Sequence, residues 1–249
     1  MQRVVRKMSE DRVKPRHKPD AGYACGEGTR RRIIDAAIQL FGERGFDGAS
    51  TRDIAKLAEV NAPALQYYFN NKNGLYQACA EHIAEICWAR FGPVQAAAQA
   101  VLDAGAPREV LMEALGGIQD AFADHLFASP EAQDRKLFIV QDQGAHGPSM
   151  LYDIMERDVR PQLDRVCLDL LGRMTGTEIS EPLALLRLMA IHGQLAMFYI
   201  AQRSLLSSLQ WDRIDADRLC LLKQLARTHA RALIDSWSIP SIDSALIAA

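Results

Sequence analysis

No Cys-x-x-Cys pair occurs among the five cysteines, Cys25, Cys79, Cys87, Cys167 and Cys220, and their odd number and wide scatter argue against a disulfide framework or a zinc site. They are predicted to be small, buried, apolar side chains in a reducing compartment. A His-Glu-x-x-His spacing, a Gly-rich phosphate loop and a Gly-x-Ser-x-Gly elbow are all missing, so no catalytic constellation, metal or cofactor is expected. Continuous apolar runs stay short of the roughly 18 residues that cross a bilayer. The opening stretch "MQRVVRKMSEDRVKPRHKPDAGYACGEG" is charged throughout and has no apolar core of a secretory signal, which predicts a cytoplasmic protein without membrane partners. Internal repeats, low-complexity tracts, long Gly/Ser linkers and strand-like alternation beyond Pro93 are also lacking.

The chain does have enough length, 249 residues, for a small domain joined to a medium one, and 49% hydrophobic residues to fill two cores. The net charge of -2 conceals a split. Residues 1–78 carry 14 Lys and Arg against 9 Asp and Glu; the remainder carries 15 against 22. A basic head on an acidic body suggests that the front end meets a polyanion. Seven of those basic groups fall in residues 1–20, so a solvated tail over 1–26 explains part of the excess.

Helical periodicity begins near Glu27, where Ile33, Ile34, Ala37, Ile38, Leu40 and Phe41 recur at spacings of three and four. Gly45 is predicted to end that helix in a left-handed conformation. Ser50, three residues before Asp53, caps a second helix whose Ile54, Ala55, Leu57 and Ala58 should point inward. Asn61 caps a third, from about Ala62 to Phe69, with Pro63 in its first turn. A fourth starts near Gly74 and extends past Trp88, and five more are predicted near 107–127, 130–144, 148–174, 180–207 and 213–236. The expected fold is all-α: a head over 27–87 with a helix-turn-helix at 50–69, a body over 88–238, and a short tail over 239–249.

Two short helices joined by "EVNA" are what a helix-turn-helix needs, the first bracing the second in the major groove. Leu65 and Phe69 share the inner face of the second, which turns Ala62, Pro63, Gln66 and Tyr67 outward. Gln66 carries the donor and acceptor that fit an adenine edge, while Ala62 and Pro63 suit a thymine methyl. Thr51, Arg52, Tyr67, Tyr68 and Lys72 are placed to reach phosphates. Arg30 to Arg32 fit a solvated face and a backbone contact equally well.

Residues 29–82 resemble the DNA-binding domain of the TetR family of bacterial one-component regulators, through "I-x-x-A-x-x-L-F-x-x-x-G-F", "T-x-x-D-I-A" and "L-x-Y-Y-F-x-x-K-x-x-L". The resemblance implies a recognition helix at 62–69 and backbone contacts at Thr51, Tyr68 and Lys72. Gln66 departs from it, since many members have Tyr there. The body is similar to the subgroup of CecR-type regulators, in "MLYDIMERDVRPQLDRV" and "IHGQLAMFYIAQRSLL". This implies a small-molecule pocket and a homodimer through the last two long helices.

Within the body, His192 and Gln194 stand out as polar fixtures in an apolar helix, with Phe138, Gln141, Met150 and Met155 as further effector-contact candidates. The resulting expectation is a ligand-relieved repressor that binds a palindromic operator as a homodimer and takes an apolar or amphipathic effector. An all-α enzyme or carrier and an architectural DNA binder are the competing readings.

Overall fold

The computed structural model describes residues 21–127, 132–144, 147–176 and 181–237; the two expected tails, apart from the end of the first, lie outside them. Among the described residues there is no strand. The helices in chain order are α1 (Ala21–Gly48), α2 (Thr51–Leu57), α3 (Ala62–Phe69), α4 (Lys72–Asp103), α5 (Arg108–Phe127), α6 (Ala132–Gln143), α7 (Met150–Ile154), α8 (Arg160–Thr175), α9 (Glu181–Ile200), α10 (Gln202–Leu209) and α11 (Ala216–Trp237). A π-helical turn, Met155–Val159, joins α7 to α8, so the helix expected over 148–174 is three pieces. The helix expected over 180–207 is likewise divided, at Ala201.

The chain separates into two compact units, one formed by residues up to Ala84 together with Asp134–Asp158, the other by Glu85–Gln133 and the chain from Val159 onward. Residues 134–158 therefore fold with the head, although the sequence placed them in the body. Their attachment has a clear physical basis. Phe138 is completely buried, stacked 4.7 Å from the Tyr76 ring and 6.4 Å from Phe41. Gly42 allows the close approach of α6 to α1: a Cβ at this position would lie 2.9 Å from that of Leu137 and 3.0 Å from the Phe138 nitrogen.

A second anchor is polar. The fully buried Asp142 carboxylate accepts from the Tyr76 hydroxyl at 3.0 Å and from the Tyr152 backbone N–H at 2.9 Å. Burial, and then the Asp142 charge, push the Tyr76 hydroxyl well above its ordinary value, so it stays protonated as the donor. The hydrophobic remainder of this core is Ile33, Ile34, Ala37, Phe41, Ile54, Leu65 and Phe69.

Local details of the head follow its sequence with two corrections. Ser50 Oγ accepts from the Asp53 N–H at 3.1 Å, and Asn61 Oδ1 from the Ala64 N–H at 2.8 Å, so both caps form as the residue types require. Gly45, at φ 71 and ψ 174, occupies a region essentially reserved for glycine rather than the left-handed helical one, and one further turn follows it to Gly48. Leu57 is exposed instead of inward, because α2 ends at that residue.

The second unit is built around α5, α8, α9 and α11 with the later part of α4. One apolar cluster contains Leu115 and Ile118 of α5, Leu170 and Leu171 of α8, Leu188 and Ile191 of α9, and Ala230 and Ile234 of α11. A smaller one contains Ala123, Leu195, Leu219 and Ala226. An antiparallel ladder of ion pairs sets the register of α5 against α11: Arg108 with Asp235, Arg231 with Glu109, Arg227 with Glu113 and Asp120, and Lys223 with Asp124. Gly116 leaves room for the Arg227 guanidinium, which a Cβ there would meet at 2.7 Å. Such partly exposed pairs contribute about 0.2–1 kcal/mol each, so their main effect is alignment.

Pro182–Ile200 has the length and a mean hydropathy, 1.5, sufficient to cross a bilayer, but Arg187, His192 and Gln194 interrupt it, so its continuous apolar runs stay short. Leu188, Ile191 and Leu195 account for its inner face. Its outer face shows Leu186, Met189, Met197 and Ile200, each more than half exposed. Within one chain this helix is therefore buried on one side only.

Candidate nucleic-acid interface

The third helix is short, and its two faces differ. Leu65 and Phe69 are buried, whereas Ala62, Pro63, Gln66 and Tyr67 face solvent, with Tyr67 83% exposed. The cap at Asn61 and Pro63 in the first turn fix where the helix begins. Its N-terminal end adjoins the start of α2. Thr51, Ala62, Pro63, Gln66 and Lys72 line a common groove of about 800 Å³, and Ser50, Leu65, Asn70 and Asn71 complete it.

Of the other predicted contacts, Arg52 is exposed on α2 and Tyr68 is half-buried. Tyr68 packs edge-on to Tyr67 at 5.3 Å and tilted to Phe69 at 6.2 Å, which leaves part of its surface outward. The Lys72 ammonium lies 4.5 Å from the centre of the Phe46 ring and 3.4 Å from the Asp47 carbonyl. A flexible cation is thereby held at the rim of the groove at reduced entropic cost. Arg30 sits 5.4 Å over Phe69 and packs within the head, while Arg31 pairs with Asp35 at 2.9 Å on the exposed face of α1.

Asn70 and Asn71 were not anticipated as groove residues. Asn70 has a positive φ of 61, and the Asn71 side chain accepts from the Gly74 N–H at 2.8 Å. The signal for them is the run "NNKNG" directly after the third helix.

The effector-contact candidates are divided between the two units. Phe138, Gln141, Met150 and Met155 belong to the first unit, His192 and Gln194 to the second. Phe138 is occupied by core packing. Gln194 is committed to structure: its amide donates to the Ile191 and Ala226 carbonyls at 2.9 and 3.4 Å, and its oxygen meets His229 Nδ1 at 3.0 Å. His192 retains a sealed Nε2 with no hydrogen-bond partner, and burial lowers its imidazole to about 4. His146 falls outside the described residues.

Thiol chemistry is suppressed where cysteines are buried: Cys167 is pushed up to about 12 by desolvation, and Cys79 is raised further for the same reason. Cys220, in contrast to expectation, is exposed. No cluster of three or more His, Cys, Asp or Glu able to hold a metal occurs among the described residues.

An outward-facing second helix of a helix-turn-helix, carried on a head with a separate helical body, defines a DNA-binding transcriptional regulator. Residues 33–79 match the family described as bacterial regulatory proteins, tetR family, and residues 111–236, half of the chain, match the C-terminal domain of the HTH-type transcriptional dual regulator CecR. The chain belongs to the TetR family of transcriptional regulators, with a body of the CecR type, and is not an enzyme.

The chain is 27% identical over 222 residues to the dual regulator CecR of Shigella flexneri, covering 87% of this chain and 96% of that protein. It is also 35% identical over 97 residues to the repressor NicS of Pseudomonas putida, covering 39% and 43%. A solved candidate regulator from Streptomyces coelicolor shares the fold with a TM-score of 0.53 at 18% identity, over 82% of this chain and 97% of that one.

Proposed function

We propose that the protein is a cytoplasmic, ligand-relieved repressor that binds an inverted-repeat operator as a homodimer. The observation that carries this reading is the solvent-facing edge of α3, with Gln66 and Tyr67 outward and Lys72 fixed at the groove rim. Gln66 reads a base edge, and Thr51, Arg52, Tyr67, Tyr68 and Lys72 hold the backbone. Ala62 and Pro63 allow close approach to the groove floor.

The exposed apolar face of α9, with Leu221 and Leu225 of α11, supports pairing of two bodies. In such a dimer two recognition helices entering successive major grooves stand about 34–36 Å apart. An apolar or amphipathic effector favours the body state whose heads are spaced wrongly. A coupling of about 1–3 kcal/mol gives roughly 5- to 150-fold control, and operator DNA must weaken effector binding by the same factor. The name of the relative NicS, a repressor, favours this sign of regulation.

The test is a pair of variants titrated on duplexes selected from a random pool and on unselected DNA. Gln66→Ala lowers affinity for selected duplexes only. Lys72→Ala weakens both and reduces the salt slope by about one phosphate contact. Equal losses on both DNAs for Gln66→Ala refute base reading by this side chain.

A further inference from the structure

The two apolar clusters of the second unit meet at a polar layer. Leu115 and Ile118 of α5 share the first cluster with Leu188 and Ile191 of α9, and Ala123 shares the second with Leu195. Between them in both helices the apolar run is interrupted, by Gln119 on α5 and His192 on α9. Gln119 is only 2% exposed, and neither its Nε2 nor His192 Nε2 has a hydrogen-bond partner. A sealed, unsatisfied polar atom costs about 1–3 kcal/mol, and hydrophobic residues at both positions would remove that cost. On both helices the sealed atom belongs to the residue just past the first cluster, Gln119 after Ile118 and His192 after Ile191, and its hydrogen bonding is left for another group to complete.

We propose that Gln119 and His192 form the polar anchor of an effector site for a small, uncharged compound with an apolar or aromatic body and one carbonyl or hydroxyl oxygen. This rests on the reading of the body as an effector-binding unit. The Gln119 nitrogen only donates, so its ligand atom must accept. The imidazole, kept neutral by burial, donates or accepts according to tautomer and so fits either oxygen type. The charges nearest Gln119 along α5, those of Asp120 and Asp124, are negative and are engaged by Arg227 and Lys223, and Arg187 of α9 is stacked over the Trp237 ring at 5.0 Å; the two anchor side chains themselves carry no charge for a carboxylate. Phe122 stands 5.8 Å from His192, Phe91 6.3 Å from Phe122, and His125 5.6 Å from Phe91, a continuous panel of rings beside the anchor. Such a panel suits a flat apolar body.

The experiment is calorimetric titration of the full chain with acetophenone, with α-methylstyrene, in which a methylene replaces the oxygen, and with benzoate. Acetophenone binds about tenfold more tightly than α-methylstyrene, as expected for one net hydrogen bond, and benzoate does not bind. Gln119→Leu and His192→Phe each reduce acetophenone to the level of α-methylstyrene without lowering the melting temperature of the free protein. In the wild-type chain the side-chain amide NMR signal of Gln119 shifts with acetophenone and not with benzoate, a readout that survives misfolding of either variant. Equal affinity for the two neutral compounds, absence of acetophenone binding, or a bridging water that persists in its presence overturns the proposal. Compounds that release operator DNA equally from wild type and Gln119→Leu also overturn this site while leaving the regulator reading intact. Acetophenone binding that needs both residues, with no release of DNA by any compound, keeps the site and defeats the effector reading.

Discussion

Asp142 in the head and Gln119 and His192 in the body differ in how their buried polar atoms are satisfied. In the head, Asp142 is completely buried and meets two donors, from Tyr76 and Tyr152. In the body, Gln119 and His192 carry sealed atoms with no partner. The head also turns its large exposed aromatic, Tyr67, onto a single functional edge, while the body leaves an entire helix face apolar and uncovered. A satisfied network specifies one arrangement; unsatisfied groups and open apolar faces are tolerated where a further molecule completes them. The difference teaches that Asp142 fixes one arrangement within the head, whereas Gln119 and His192 leave hydrogen-bonding capacity unused in the body.

The contrast breaks most readily at Phe138. If residues 134–158 are core to the head, Phe138→Ala destabilises it by about 3–5 kcal/mol in denaturant unfolding, by loss of buried area and the remaining cavity. A contact made only to an effector would leave stability unchanged. Acidification probes the body next. Because His192 is depressed to about 4 in the folded chain, the unfolded state binds the extra proton between the ordinary histidine value near 6.5 and that point. Stability from this group is complete above about 6.5 and falls as pH drops toward 4, by up to roughly 3 kcal/mol. His192→Phe flattens that part of the profile, measured as melting temperature against pH.

A smaller effect is expected at the anchor in the head. Tyr76→Phe removes one donor to Asp142 and keeps the ring, so unfolding free energy drops by about 1–2 kcal/mol. On the outer face of α9, Leu186→Glu together with Met189→Glu changes the stability of an isolated chain by less than about 1 kcal/mol. The same pair shifts the sedimentation of a dimer to that of a monomer and abolishes tight operator binding. Smallest in stability is Tyr67→Ala, within about 0.5 kcal/mol of wild type, although its affinity for every duplex falls.

Much of the head was legible in the chain. Ser50 and Asn61 announced two helix starts, Pro63 confirmed the second, and the spacing of Leu65 and Phe69 turned Gln66 and Tyr67 outward; each is a local rule with a span of a few residues. The membership of 134–158 in the head was not legible, because the fit of Phe138 against Tyr76 and of α6 against Gly42 joins residues far apart in sequence. The roles proposed for His192 and Gln194 also looked alike in sequence, two polar groups in one apolar stretch. Only their neighbours separate them: Gln194 finds three partners on α9 and α11, while the sealed nitrogen of His192 finds none.

By itself the sequence determined the all-α class, the helix-turn-helix and the face that α3 presents, since periodicity and capping act within a helical turn or two. Tertiary structure alone decided which unit claims Asp142, how α5 and α11 align through their charges, and that Gln119 and His192 keep sealed atoms without hydrogen-bond partners. Those outcomes depend on shape and charge complementarity between distant segments, which no local pattern encodes.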